Sequence, residues 1–163
     1  MKINRSSIMK NTRVRLASLM VAASIALPLF PAFSHAGEQL SIDVYRDANC
    51  GCCKSWVKHM QANGFEVHDH VETNMSAVKE RLGVTPNLAS CHTAVVNGKF
   101  VEGHVPAEQV KELAKRSDLA GMAVPGMVVG SPGMEYGDQQ QPYQVLGLTK
   151  QGAEQIVAQY PQK

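Results

Sequence analysis

The chain has 163 residues, with 16 Lys/Arg against 14 Asp/Glu, six histidines and four cysteines. Five of the basic residues (Lys2, Arg5, Lys10, Arg13, Arg15) and none of the acidic ones fall in residues 1–36, so the remaining 127 carry eleven basic side chains against fourteen acidic ones. That mildly acidic balance, with no basic stripe, removes the case for nucleic-acid binding, and the length suits one compact domain.

Residues 1–36 read as an export signal: a basic n-region, an apolar run from Leu16 to Phe33, and the small-residue site Ser34-His35-Ala36. A retained anchor needs roughly 20 unbroken apolar residues, and Pro28 and Pro31 interrupt this run. The expectation is cleavage after Ala36, leaving residues 37–163 as a single exported domain without a membrane segment. Export places all four cysteines in an oxidising compartment, where they serve as disulfides, metal ligands or redox catalysts.

Leu40 to Tyr45 alternates apolar and polar residues and predicts a strand. Next comes Asn49-Cys50-Gly51-Cys52-Cys53-Lys54-Ser55-Trp56, three cysteines in four positions. Trp56, Val57 and Met60 then recur at helical spacing until Asn63-Gly64, so the cysteines fall on the turn between a strand and a helix start. Phe65 to Val71 alternates again, with Phe65, Val67 and Val71 on one side and Glu66, His68 and His70 on the other. A short helix over Ser76–Leu82 completes a βαβα order, which favours a parallel strand pair with a crossover helix.

Thr93 to Val96, Asn97-Gly98 and Lys99 to Val101 form a strong hairpin signal. Pro106 opens a helix with Glu108 in its first turn, Val110, Leu113 and Ala114 on one face, and Lys115-Arg116 at its end. The order βαβαββα with cysteines after the first strand is the thioredoxin-like arrangement: an α/β fold, mixed parallel/antiparallel sheet, flanking helices. Gly121 to Gly137, rich in Gly, Pro and Met, reads as a loop extension, Tyr143 to Leu148 as an added strand, and Thr149 as the cap of a final helix through Gln159.

Cys50 and Cys53 make a C-x-x-C pair at a helix N-terminus, a position that favours the thiolate required for disulfide exchange and for metal binding alike. Cys52 separates the two chemistries. A third thiol invites wrong pairings in a disulfide enzyme, whereas a soft-metal site gains from each added sulfur. Cys91 precedes the third strand, where thioredoxin-like chains place a cis-proline facing the C-x-x-C, so a fourth sulfur is expected to face the first three. The spacing lacks the paired knuckles of a zinc ribbon, which leaves zinc the lesser candidate; thiolates beside thioethers and imidazoles point to copper(I), with sulfurs close enough to bridge several ions.

The thioethers are those of Met122, Met127 and Met134, each preceded by glycine; the competing reading makes them gap-fillers in a sparse core. Trp56 reads as core or pocket wall, His59, His68 and His70 as surface. His104 stands between hairpin and helix, where loops present ligands. His92 is expected to point away from Cys91 if the strand has begun there.

Three runs, DVYRDANCGCCKSWVKHMQANGFEV, LGVTPNLASCHTAVVNGKFVEGHVPAEQV and GMAVPGMVVGSPGMEYG, closely resemble the CopG-type periplasmic copper-resistance proteins, distinct from the plasmid repressor of that name. The likeness spans about Asp43 to Leu148. It implies a thioredoxin-like fold holding a cysteine-bridged cluster of copper ions in the periplasm, a role in copper tolerance that includes changing copper's oxidation state, and an electron-transfer or copper-efflux partner. Carried onto this chain, the CGCC motif gives Cys50, Cys52 and Cys53, the SCH cysteine Cys91 and the EGHVP histidine His104. Two alternatives remain at this level: a thiol–disulfide oxidoreductase in which Cys50 attacks and Cys53 resolves, and a fold stapled by two plain disulfides.

Overall fold

The computed structural model describes residues 39–161; the export signal read over residues 1–36 lies outside them. The elements are β1 (Ser41–Arg46), α1 (Gly51–Ala62), β2 (Glu66–Val71), α2 (Met75–Arg81), a 3-10 turn (Pro86–Leu88), β3 (His92–Val96), β4 (Lys99–Gly103), α3 (Ala107–Lys115), β5 (Leu119–Val124), β6 (Tyr143–Thr149) and β7 (Glu154–Tyr160). All seven strands join one sheet in the order β2-β1-β3-β4-β5-β6-β7. β1 and β2 pair in parallel around α1, as do β4 and β5 around α3, and every other pairing is antiparallel. This is the mixed α/β, thioredoxin-like sheet that the sequence order predicts.

Local chemistry accounts for most of the elements. The β3–β4 hairpin turns through Asn97 and Gly98, both at positive φ (47° and 72°), the geometry that Asn-Gly adopts most readily. Asn74 caps α2 by accepting the Ala77 N–H at 3.1 Å. α3 has no side-chain cap of its own, and His59 of α1 supplies one, its Nε2 accepting the Ala107 N–H at 3.2 Å. His59 is therefore half-buried rather than the surface residue its position suggests.

The main core packs Trp56, Val57 and Met60 of α1 and Val110 and Leu113 of α3 against Ile42, Val44, Val101 and Val124 of the sheet. A smaller cluster joins Val84 and Leu88 to Phe100, Ala123 and Leu148.

Two expectations are corrected. The Gly/Pro/Met-rich extension is not loop from its start, because Leu119–Val124 is β5. It shows no alternation since β4 and β6 flank it and its residues are nearly all buried. The segment from Thr149 to Gln159 is not a helix: Glu154–Tyr160 is β7, hairpinned onto β6. Thr149 does cap, but within the hairpin turn, where its hydroxyl accepts the Ala153 N–H at 3.0 Å. The Ala, Glu and Gln content suggests helix, and pairing with a formed sheet edge overrides it. Val71, at the end of β2, is 57% exposed, as β2 borders the sheet.

Candidate metal centre

The centre forms where the end of β1, the start of α1 and the start of β3 meet. Cys50 is the N-cap of α1, and its sulfur accepts the Cys53 N–H at 3.3 Å. The preceding turn is held by Asp47, which accepts the Asn49 N–H through its side chain and the Cys50 N–H through its carbonyl. Cys50 and Cys53 are joined as a disulfide, Cα atoms 5.3 Å apart, while Cys52 and Cys91 are free thiols. Cys52 Sγ lies 3.5 Å from Cys50 Sγ and 4.0 Å from Cys91 Sγ. All four sulfurs fall within 4.8 Å of one another, a group able to hold a metal ion. The two-disulfide reading is not what the fold presents, since Cys52 and Cys91 stand close and unbonded.

Cys91 also belongs to a second potential metal group, with His92 and His104. His104 is fully buried, with Nε2 3.0 Å from Cys91 Sγ and Nδ1 2.7 Å from the Pro132 carbonyl. A carbonyl only accepts, so the proton sits on Nδ1 and the lone pair of Nε2 faces the sulfur, as in imidazoles oriented to bind metals. Burial lowers the His104 pKa, opposed by the Pro132 carbonyl and Glu135. Burial pushes the Cys91 thiol up to about 12, and the neighbouring Cys52 adds to the shift.

His92, expected to turn away from Cys91, does not: its Nδ1 is 3.3 Å from the sulfur. Cys91 lies outside β3 and His92 is its first residue, so strand alternation does not separate them. The His92 ring packs against Trp56 at 4.5 Å and meets His104 edge-on at 5.1 Å, and its Nε2 has no partner among the described residues. Burial, then His104, Lys79 and Arg46, hold its pKa well below the usual value. Trp56 is the buried wall that the sequence suggests, its indole N–H donating to the Val105 carbonyl at 2.9 Å.

The methionines divide. Met122 lies in β5, fully buried in the main core cluster, in place of the expected loop. Met127 is 50% exposed in the turn after Pro125. Met134 is buried in a loop that lies on the cysteine helix: a Cβ added to the adjacent Gly133 would come within 2.7 Å of the Trp56 nitrogen and 2.9 Å of the Cys52 carbonyl. Only glycine tolerates both that approach and the local φ of +83°. The same loop supplies the Pro132 carbonyl to His104. His68 and His70 are exposed, as their strand pattern predicts, and His70 pairs with Asp43 at 2.8 Å.

Among known proteins, a family model described as "Protein of unknown function, DUF411" matches residues 88–134, which include Cys91, His104 and the Gly-Met repeats. The chain is similar to two solved structures titled "Copper resistance protein copG", Form 2 and Form 1. Both are 64% identical to it; Form 2 superposes with a TM-score of 0.75 over 76% of this chain and Form 1 with 0.74 over 77%, each covered over its full length. No curated protein sequence matches.

Proposed function

Since the chain belongs to the CopG copper-resistance family, we propose that it is an exported, periplasmic copper-binding protein in which Cys50, Cys52, Cys53 and Cys91 bridge a cluster of copper ions beside His104 and Met134. The observation that carries this reading is the set of four sulfurs within 4.8 Å. Once the Cys50–Cys53 disulfide is reduced, such a set gathers soft thiolate donors for copper(I), and the adjoining imidazoles suit copper(II) as well. His92, whose Nδ1 faces the Cys91 sulfur, joins the candidate ligands. Met122 and Met127 contribute as core and loop residues in this reading.

The mixed donor set also supports a change in copper's oxidation state. Reduced Cys50 and Cys53 carry two electrons: two copper(II) ions each accept one, and the two thiolates close the disulfide. Resetting the pair requires a dithiol reductant or another electron partner, which comes from outside this chain.

Anaerobic titration of the reduced, signal-free protein with copper(I) against a competing chelator tests the binding reading, with Cys91→Ser alongside. More than one tightly held ion, diminished in the variant, is the expected result; no copper retained against the chelator overturns it. The second reading, thiol–disulfide exchange, draws on the Cys50–Cys53 disulfide at a helix N-terminus. It requires Cys52 and Cys91 to be dispensable.

A further inference from the structure

Glu102, the fourth residue of β4 and the register partner of Thr93 in β3, is fully buried and yet ionisable. Its Oε1 accepts the Ser90 N–H at 2.6 Å and the Lys79 ammonium at 2.5 Å, and its Oε2 accepts the Thr93 hydroxyl at 2.6 Å. Packing does not account for a charge here, because apolar replacements of buried ion pairs are commonly neutral or stabilising. The three donors share a location: Ser90 precedes Cys91, Thr93 follows it by two residues, and Lys79 reaches both Glu102 and Thr93 from α2.

Ser90 is held from its other side as well. Its hydroxyl donates to the Gly126 carbonyl at 2.5 Å and stands 3.9 Å from Cys91 Sγ, and the Gly126 N–H donates to the Ala89 carbonyl. No proline occurs between Pro86 and Pro106 to fix the backbone of this turn covalently. The hydrogen bonds to Ser90 therefore carry part of the work of setting where the Cys91 sulfur sits.

We propose that Glu102 is a positioning residue of the metal centre, clamping the Ser90 amide so that Cys91 presents its sulfur to the other three cysteines before any ion arrives. The inference rests on the copper reading given above for its functional consequence. Groups that orient ligands without touching the metal govern affinity by about 10- to 100-fold, and a ligand on a turn depends on such support more than one on a regular element.

Glu102→Gln keeps the shape and removes the charge. Two readouts distinguish positioning from general structure. In the copper-free protein, hydrogen exchange of the Ser90 amide, slow in the parent, should accelerate about tenfold or more while core amides of β1 hold their rates. Copper(I) affinity against a chelator should fall about 10- to 100-fold, with no further fall when Glu102→Gln is added to Cys91→Ser. An unchanged Ser90 amide, or an equal loss of affinity with and without Cys91, overturns the proposal. If Glu102→Gln does not fold, Thr93→Val removes one donor to the same carboxylate, and a folded Thr93→Val protein lacking either change overturns the proposal equally. A parent chain that retains no copper although its Ser90 amide is protected refutes the copper reading, whereas copper retention with an indifferent Ser90 amide refutes the clamp alone.

Discussion

Cys91 Sγ and His104 Nε2 stand 3.0 Å apart, and the opposite nitrogen of that ring is committed to the Pro132 carbonyl. A soft anion-forming donor and a neutral imidazole thus converge in the fold, with the proton to be displaced located on the sulfur. Ligand binding to a metal requires that proton to leave.

The Cys91 thiol, pushed up to about 12, carries thiolate at pH 8 in only about one molecule in ten thousand. Iodoacetamide at pH 8 is expected to leave Cys91 unmodified in the folded, copper-free protein and to modify it after denaturation, as read by peptide mass mapping. Copper loading is expected to release a proton from Cys91, measurable as acidification of a weakly buffered solution, and Cys91→Ser should lower the proton count.

Cys52→Ser separates metal binding from disulfide exchange. Cys52 lies 3.5 Å and 4.0 Å from the sulfurs of Cys50 and Cys91 and belongs to neither end of the disulfide. The expected outcome is fewer copper ions per chain, or weaker retention, with the Cys50–Cys53 disulfide still forming on oxidation. Undiminished copper binding in the variant would count against a cluster bridged by all four sulfurs.

Gly133→Ala tests how the methionine loop is seated. The positive φ alone costs a side chain about 1–2 kcal/mol, and the added methyl meets backbone atoms of α1 that cannot give way. A lower urea midpoint is expected together with weaker copper retention, because the loop carrying Met134 and the Pro132 carbonyl must lift from the helix. Gly137→Ala, where a Cβ meets nothing within 4 Å although φ is again positive, serves as the control for backbone strain without displacement.

Acid should destabilise the copper-free protein before its carboxylates titrate. Burial lowers the pKa values of His59, His92 and His104 below 6.5 in the folded state. A depressed pKa means that the folded chain favours the neutral ring, so this contribution is full above about pH 6.5 and is lost as pH falls toward the folded values. Thermal midpoints should be level between pH 8 and 7 and drop between pH 6.5 and 5.5. His59→Gln, which retains an acceptor for the Ala107 N–H, should make that drop shallower.

The first half of the fold was legible because its signals are local: alternation in β1, the helical spacing of Trp56, Val57 and Met60 with the Asn63-Gly64 stop, and the Asn97-Gly98 turn. The cysteine assembly was equally readable from spacing and order. β5 and β7 were not, since one is buried on both sides and the other takes its conformation from a neighbouring strand. His92 and Glu102 escaped for a related reason. A histidine at a strand's first residue and a glutamate inside a hairpin look ordinary in sequence, and only burial against Trp56, or the convergence of Ser90, Lys79 and Thr93, sets them apart.

The strand order also determines where the protein can be held from outside. Cys91 and His104 are delivered by the start of β3 and the end of β4, at the middle of the sheet, while β7 borders it three strands beyond β4. With strands about 4.8 Å apart, a reporter or surface tether joined after Tyr160 departs on the order of 14 Å to the side of β4. Immobilisation on an electrode or labelling for single-molecule work can therefore attach next to β7 without touching the strands that deliver the sulfur and the imidazole.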